Sequence, residues 1–321
     1  MRCLLPALLA FAALGGIAPS ASAWTDKPVR LVVPAPPGGT MDVVARLLAE
    51  QLAADLKQPV VVDNKPGAGG AIAAQSLLSA PADGQSIMVT ASNVLTEIPH
   101  VMKTAFDPLK DVKPVATLAR AGMVLVGPAN GPADFASLVA HLKANPGKLA
   151  FASYTAGTSS HYAGMILNQK AGLDLQHVPF AGSPAALTQV MAGQIAVMFD
   201  GIVTSLPFVK AGKLKAYAVA GKVRSPYLPE VPTTAELGYP DLDFSNWLGV
   251  VVPSAVPSDT VDKIALAIQR AGQAPKLRER LMAVGFDVGA SLSPSDLAQS
   301  VRVEFERNAR IVKAFDIRLA Q

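Results

Sequence analysis

Leu31-Val32-Val33-Pro34-Ala35-Pro36-Pro37-Gly38-Gly39-Thr40-Met41-Asp42 carries the chain from a short apolar run, through prolines and two glycines, to the mouth of a helix. Val43, Val44, Leu47, Leu48 and Leu52 continue it at helical spacing. Proline cannot donate to a strand ladder, so the strand stops. Glycine lets backbone N–H groups approach a ligand with no Cβ in the way, and a positive φ is expected at Gly39. A helix start adds unpaired N–H groups and the positive end of the dipole. Together these attract a carboxylate or another small anion. The stretch holds no Lys, Arg, His or Cys, so it is built to hold a molecule rather than attack it.

Outward from this stretch, strand and helix alternate. Strands are expected at 29–33, 60–62 and 87–90, and helices at 41–56 and 71–78. A second set follows: strands at 124–126, 149–153, 177–180, 195–199 and 214–220, helices at 135–144, 161–170 and 183–192. This is an α/β pattern with a mostly parallel sheet. In such sheets ligands collect beyond the carboxyl ends of strands, here at 36–42, 64–70 and 91–93. Residues 223–244, with four prolines, read as an extended connector with one turn near 233–237.

Val124-Leu125-Val126-Gly127-Pro128 precedes Pro132-Ala133-Asp134 and a helix; Val250-Val251-Val252-Pro253 precedes Pro257-Ser258-Asp259 and another. Both aspartates suit N-caps. The echo suggests two strands crossing between two domains. The first would hold 24–122 and 247–321, closed by helices at 259–271, 275–283 and 294–314; the second would hold 123–246.

Arg2, an apolar stretch from 4 to 13 and Ala21-Ser22-Ala23 before Trp24 follow the plan of a cleaved secretory signal at 1–23. Cys3, the one cysteine of 321 residues, would leave with it, so no disulfide framework is expected. The later apolar runs are too interrupted for a membrane span. The formal charge is only +4, and the densest basic group, Lys210 to Arg224, lacks interleaved aromatics, which argues against nucleic acid.

Longer motifs point to a family. Trp24-Thr25-Asp26-Lys27-Pro28-Val29-Arg30, the 33–39 stretch and Asp63-Asn64-Lys65-Pro66-Gly67-Ala68-Gly69-Gly70 carry the resemblance. So do Val178-Pro179-Phe180-Ala181-Gly182-Ser183-Pro184-Ala185, Val197-Met198-Phe199-Asp200 and Leu228-Pro229-Glu230-Val231-Pro232-Thr233. In that order they resemble the Bug proteins, the substrate-binding subunits of tripartite tricarboxylate transporters. The resemblance implies a type II periplasmic-binding-protein fold: two α/β domains joined by crossing strands, with a carboxylate between them. It implies membrane permease subunits as partners, a periplasmic location and a monomer. It implies ligand contacts from Pro37, Gly38, Gly39, Thr40 and Asp42 on one loop and Gly157, Thr158 and His161 on another. Ser92, Asn93, Tyr154, Ser159, Gly182 and Asp200 complete the expected site. The family usually places an aromatic at Ala35 and small residues at Tyr154 and Thr155. Room lost and gained on opposite walls suggests an apolar-bodied monocarboxylate or small dicarboxylate in preference to citrate.

Other classes fit less well. Asn64–Gly70 lacks the Gly-Lys-Ser/Thr ending of a nucleotide loop. Ser159 or Ser160 with His161 and Asp200 would make a hydrolase, but no Gly-x-Ser-x-Gly elbow occurs. His100, His141, His161 and His177 show no metal-ligand spacing, and no metal or cofactor is expected. A sensory module for a receptor kinase is a third class. Asp42 and Asp200 would repel an anion at close range, so they are expected at the ligand's far polar end or behind water, unless they serve as a helix cap and a strand end.

Overall fold

The computed structural model describes residues 24–104, 106–289 and 291–317; the signal reading of 1–23, with Cys3, lies outside them. β1 (Val29–Val33) passes through the Pro-Gly loop into α1 (Thr40–Leu56). Then come β2 (Val60–Asn64), α2 (Ala71–Leu78), β3 (Ser86–Ala91), α3 (Ser92–Thr96) and β4 (Val112–Pro128). α4 (Phe135–Lys143), β5 (Ala150–Ser153), α5 (Ser159–Lys170), β6 (Gln176–Pro179) and α6 (Ser183–Met191) follow. β7 (Val197–Gly201), α7 (Ile202–Lys210), β8 (Leu214–Ala220) and β9 (Ser245–Pro253) complete the strands. α8 (Ser258–Gln273), α9 (Pro275–Ala283) and α10 (Pro294–Ala314) end the chain.

The strands run β2-β1-β3-β9-β4-β7-β5-β6, with β8 also on β4. Both faces are covered, so successive residues of one strand enter different cores. Leu31 and Val33 pack with α1 and α8, whereas Val32 packs with Ala73, Leu77 and Leu297 on the other face. Beyond β4 the alternation repeats: Phe199 packs with Tyr162 and Phe151, and Met198 with Leu187 and Val190.

The expected mostly parallel sheet is corrected to a mixed one. β1·β2, β1·β3, β5·β6 and β5·β7 are parallel. β9 is antiparallel to β3 and β4, and β4 is antiparallel to β7 and β8. The cause is β4, expected only as a short strand at 124–126. Val112 to Gly122 pair with β9, and from Met123 onward the partners become β7 and β8. Lys113, Pro114, Arg120 and Gly122 interrupt its apolar pattern, and register shifts after Pro114 and Thr117 absorb the interruptions.

Asp134 caps α4 by accepting from the Ser137 N–H at 2.8 Å. Asp259 does not cap α8; it lies in the first turn behind Pro257. α3 and α7 had no helical expectation, α3 because it is one turn long and α7 because Pro207 sits inside it. α10 reaches both sets of cores: Leu297 and Val301 pack beside Val32, while Ile311, Val312 and the C-cap residue Phe315 pack against the Tyr162 cluster.

Candidate functional site

The β1–α1 loop is shaped from below by Asp42. Its Oδ2 accepts from the Gly38 N–H at 2.8 Å and Arg46 Nε at 2.9 Å, and its Oδ1 from Asn64 Nδ2 at 2.9 Å. Burial opposes the charge, but the bonds from Arg46, Gly38 and Asn64 outweigh it and hold the carboxyl below the usual range. The positive φ expected at Gly39 belongs to Gly38 (+80°); Gly39, the N-cap of α1, has φ −74°.

Asp200 plays the matching part opposite. It is fully buried and accepts from Ser183 Oγ at 2.5 Å, Thr204 Oγ1 at 2.6 Å and Ser205 Oγ at 2.7 Å. Burial raises its pKa, against the effect of the three hydroxyls. It thereby ties the starts of α6 and α7 together. These starts also approach α1. A Cβ on Gly201 would stand 3.0 Å from Thr40 Oγ1, and one on Gly182 2.4 Å from Pro36 Cγ.

Around this meeting point lies a cleft of about 280 Å³. The N-caps of three helices of eight or more residues stand on its wall: Gly39 of α1, Gly182 of α6 and Gly201 of α7. Thr40, Asn93, Tyr154, Thr155, Ser183 and Asn246 supply polar side chains. Most other lining is apolar, including Pro34, Met41, Met123, Phe180 and Leu248. Among the described residues, no lining residue is Asp, Glu, Lys, Arg or His.

Of the residues expected from sequence, Gly39, Thr40, Asn93, Tyr154 and Gly182 line the cleft. Pro37, Gly38, Asp42, Ser92, Gly157, Thr158, Ser159, His161 and Asp200 are not part of its lining. His161 fixes its loop, its Nδ1 accepting from the Gly157 N–H at 3.1 Å. It stacks on His177 at 3.9 Å between ring centroids. Burial, then the neighbouring His177, pushes its pKa down to about 3. Ser160 Oγ donates to Phe199 O at 2.5 Å, and Ser159 Oγ to Glu97 Oε1 at 2.5 Å. Neither hydroxyl is bonded to the imidazole, so the geometry of an activated serine is not assembled. Among the described residues, no group of three or more His, Cys, Asp or Glu is arranged to hold a metal.

Sequence reasoning missed Asn246, whose Nδ2 donates to Ser159 Oγ at 2.9 Å and whose Oδ1 accepts from Ser92 at 3.0 Å. It also missed Glu97, 2% exposed, which accepts from the Ser159 N–H and Oγ at 2.5 Å each. Burial pushes its pKa up to about 7. The available signal was a lone acid in Val94-Leu95-Thr96-Glu97-Ile98-Pro99, a run otherwise fit only for a core. Asn93 Oδ1 is buried without a hydrogen-bond partner.

A family model described as "Tripartite tricarboxylate transporter family receptor" matches residues 44–317. BugT of Bordetella pertussis is 31% identical over 321 residues, 98% of this chain and 97% of that protein. The structure of the periplasmic binding protein BugD superposes with a TM-score of 0.85 at 31% identity, covering 92% of this chain and 99% of that one. Rpa4515 of R. palustris, solved with adipate, superposes with a TM-score of 0.88 at 28% identity, covering 92% and 99%. The match over most of the chain and the shared α/β architecture agree with the sequence motifs: the chain belongs, with the Bug proteins, to the tripartite tricarboxylate transporter family of receptors.

Proposed function

We propose that this chain is a periplasmic solute-binding protein that captures a small organic carboxylate and presents it to the permease of a tripartite tricarboxylate-type transporter. The observation that carries this reading is the meeting of three helix N-caps on a cleft with no charged lining residue. Helix starts offer N–H donors and positive potential without a titratable group. Such a wall binds an anion reversibly and has no chemistry with which to transform it. The structure of the relative Rpa4515 with adipate supports a carboxylate. The signal plan at 1–23 supports export, and among the described residues no helix is long and apolar enough to cross a membrane.

The ligand enters between segments 24–122 with 247–321 and segment 123–246, which act as two domains; the change of β4 partners near Gly122 and Met123 supports a hinge there. Closure brings Gly182 against Pro36 and buries the carboxylate. Gly39 and Thr40 hold it from one side, and Gly182 and Ser183 from the other. Asp42, Gly157, Thr158, His161 and Asp200 shape the loops that do the holding. Calorimetry with hexanoate, benzoate and adipate beside hexanamide and benzamide tests this. At least one acid is expected to bind, with its amide tenfold weaker or worse. Equal binding of the amides, or no binding of any acid to folded protein, refutes it.

A further inference from the structure

Behind the cleft wall lies a buried acid that the proposed capture leaves unused. Asn93 and Asn246 line the cleft, and both lead inward to it. Asn93 lies in α3, which ends at its C-cap Glu97, 2% exposed. Asn246, on β9, donates through Nδ2 to Ser159 Oγ at 2.9 Å, and Ser159 Oγ donates in turn to Glu97 Oε1 at 2.5 Å. The carboxyl therefore stands two hydrogen bonds behind the wall. Its Oε2 takes the Ser159 N–H at 2.5 Å. Glu97 belongs to segment 24–122 and Ser159 opens α5 in segment 123–246, so these bonds join the two segments between which the ligand is proposed to enter.

The elements packed on this carboxyl leave it short of positive charge. α5 offers Tyr162, whose hydroxyl donates to the Glu97 carbonyl oxygen at 2.8 Å. The stretch after β5 offers Tyr154, whose hydroxyl lies by Ser159 and Thr158, with Asp200 acting on it as well as Glu97. Burial, then Glu97, holds both phenols above their ordinary range, so they are neutral. α10 brings Glu304 and Arg307, of opposite sign; Glu304 is attended by Ser300, Ser92, Arg307 and Arg120. His100 packs its ring on Phe305 at 4.1 Å, and burial keeps it below the usual imidazole range. Arg307 acts on Glu97 through space, and among the described residues its carboxylate oxygens take hydrogen bonds from Ser159 alone.

An anion in the cleft adds negative charge on the far side of one asparagine and one serine, across buried groups that screen poorly. It disfavours the ionised form of Glu97, and by reciprocity the ionised acid disfavours the anion. Burial already brings this acid up to about 7, so both of its forms are populated near neutral pH. We propose that Glu97 is a positioning residue, acting through Ser159 and Asn246, and that the cleft takes up its anionic solute together with a proton on this carboxyl. This rests on the carboxylate-capture reading above and adds its regulation by pH. The sign follows from linkage: the bound protein ionises at higher pH than the free one, so binding is tightest below about pH 7, weakens as pH rises and levels off once both states are ionised.

Calorimetry on the mature chain with hexanoate, benzoate and adipate from pH 6.5 to 8.5, where these acids are themselves ionised, tests it. The Kd of each acid that binds should rise at least threefold across the range. At pH 7.5 the heats in phosphate and in Tris should differ in the sense of net proton uptake. Glu97→Gln, neutral at every pH, should bind with a flat Kd and no net uptake. Ser159→Ala removes a hydroxyl that favours the ionised acid, and should move the midpoint of the Kd profile to higher pH. A flat profile or net proton release in the parent overturns the proposal and leaves carboxylate capture standing. So does an unaltered profile in folded Glu97→Gln or an unmoved midpoint in Ser159→Ala, either of which gives the linkage to another group. Failure of all three acids to bind folded protein at pH 6.5 removes both readings.

Discussion

Glu97→Gln isolates the one fully buried acid that joins α3 to the start of α5. Its carboxylate has no cation in contact and holds two donors of Ser159. Arg307 favours its charge and Glu304 opposes it, but burial dominates and raises the pKa from 4.5 to about 7. The unfolded chain ionises near 4.5 and the folded chain near 7, so the native state binds the extra proton between them. Stability from this group is therefore full below about pH 4.5 and is lost as pH rises through about 7. With about 1.4 kcal/mol per unit, the loss comes to roughly 3 kcal/mol. His161 and His177, held down to about 3 and about 4, act in the opposite sense, their contribution being full above the ordinary histidine value and lost as pH falls. The parent's own profile thus mixes signs, and the difference between variant and parent is the readout. Glutamine mimics the protonated acid: its carbonyl accepts from the Ser159 N–H and its amide donates to the Ser159 hydroxyl. Urea denaturation from pH 4.5 to 8 should show near-equal stabilities at the acid end and a variant more stable by about 3 kcal/mol at pH 8. A variant less stable by a constant amount at every pH would refute the reasoning. It would mean that the carboxylate stays ionised as the cap of α5.

Gly182→Ala adds a Cβ at φ +114°, 2.4 Å from Pro36 Cγ on the facing loop. Calorimetry with the acid that the parent binds best should show at least tenfold weaker binding, about 1.4 kcal/mol, and an unchanged Kd would show that the two loops need not meet. Asp200→Ala strips three buried hydroxyls of their acceptor and should lower unfolding stability by about 3 kcal/mol. A loss below about 1 kcal/mol in urea would show that those hydroxyls find other partners. Tyr154→Ser with Ala35→Phe exchanges bulk between two wall positions, Ala35 being only 5% exposed. Competition binding should move the preference from bulky monocarboxylates toward compact acids such as citrate, and the same ranking as the parent would remove both residues from selectivity.

The helix starts that line the cleft were legible because a helix start is a local event. Prolines end β1, glycines open the loop, and α1 begins where the apolar spacing changes; all of it lies within 31–52. Gly182-Ser183-Pro184 at the head of α6 was readable on the same ground. The error over Gly39 was local as well, since two adjacent glycines do not reveal which of them turns. The walls were not legible, because they belong to the crossing. Ala121, Gly122 and Met123 line the cleft only because β4 keeps going past two register shifts and changes partners there. Asn246 reaches Ser92 and Ser159 across 154 and 87 residues of sequence. Spacing carries no trace of such pairings. The aspartates show the same division. Each was visible as a charge near the proposed anion site, but whether it faces the ligand depends on who occupies its oxygens. Arg46 and Asn64 satisfy Asp42, and Ser183, Thr204 and Ser205 satisfy Asp200. Their negative charge is thus spent on fixing the β1–α1 loop and the starts of α6 and α7, whose N-caps line the cleft. A wall without a charged side chain is the physical result, and on the carboxylate-capture reading proposed above, selectivity for the ligand's body falls to the apolar residues that β4 and β9 bring across.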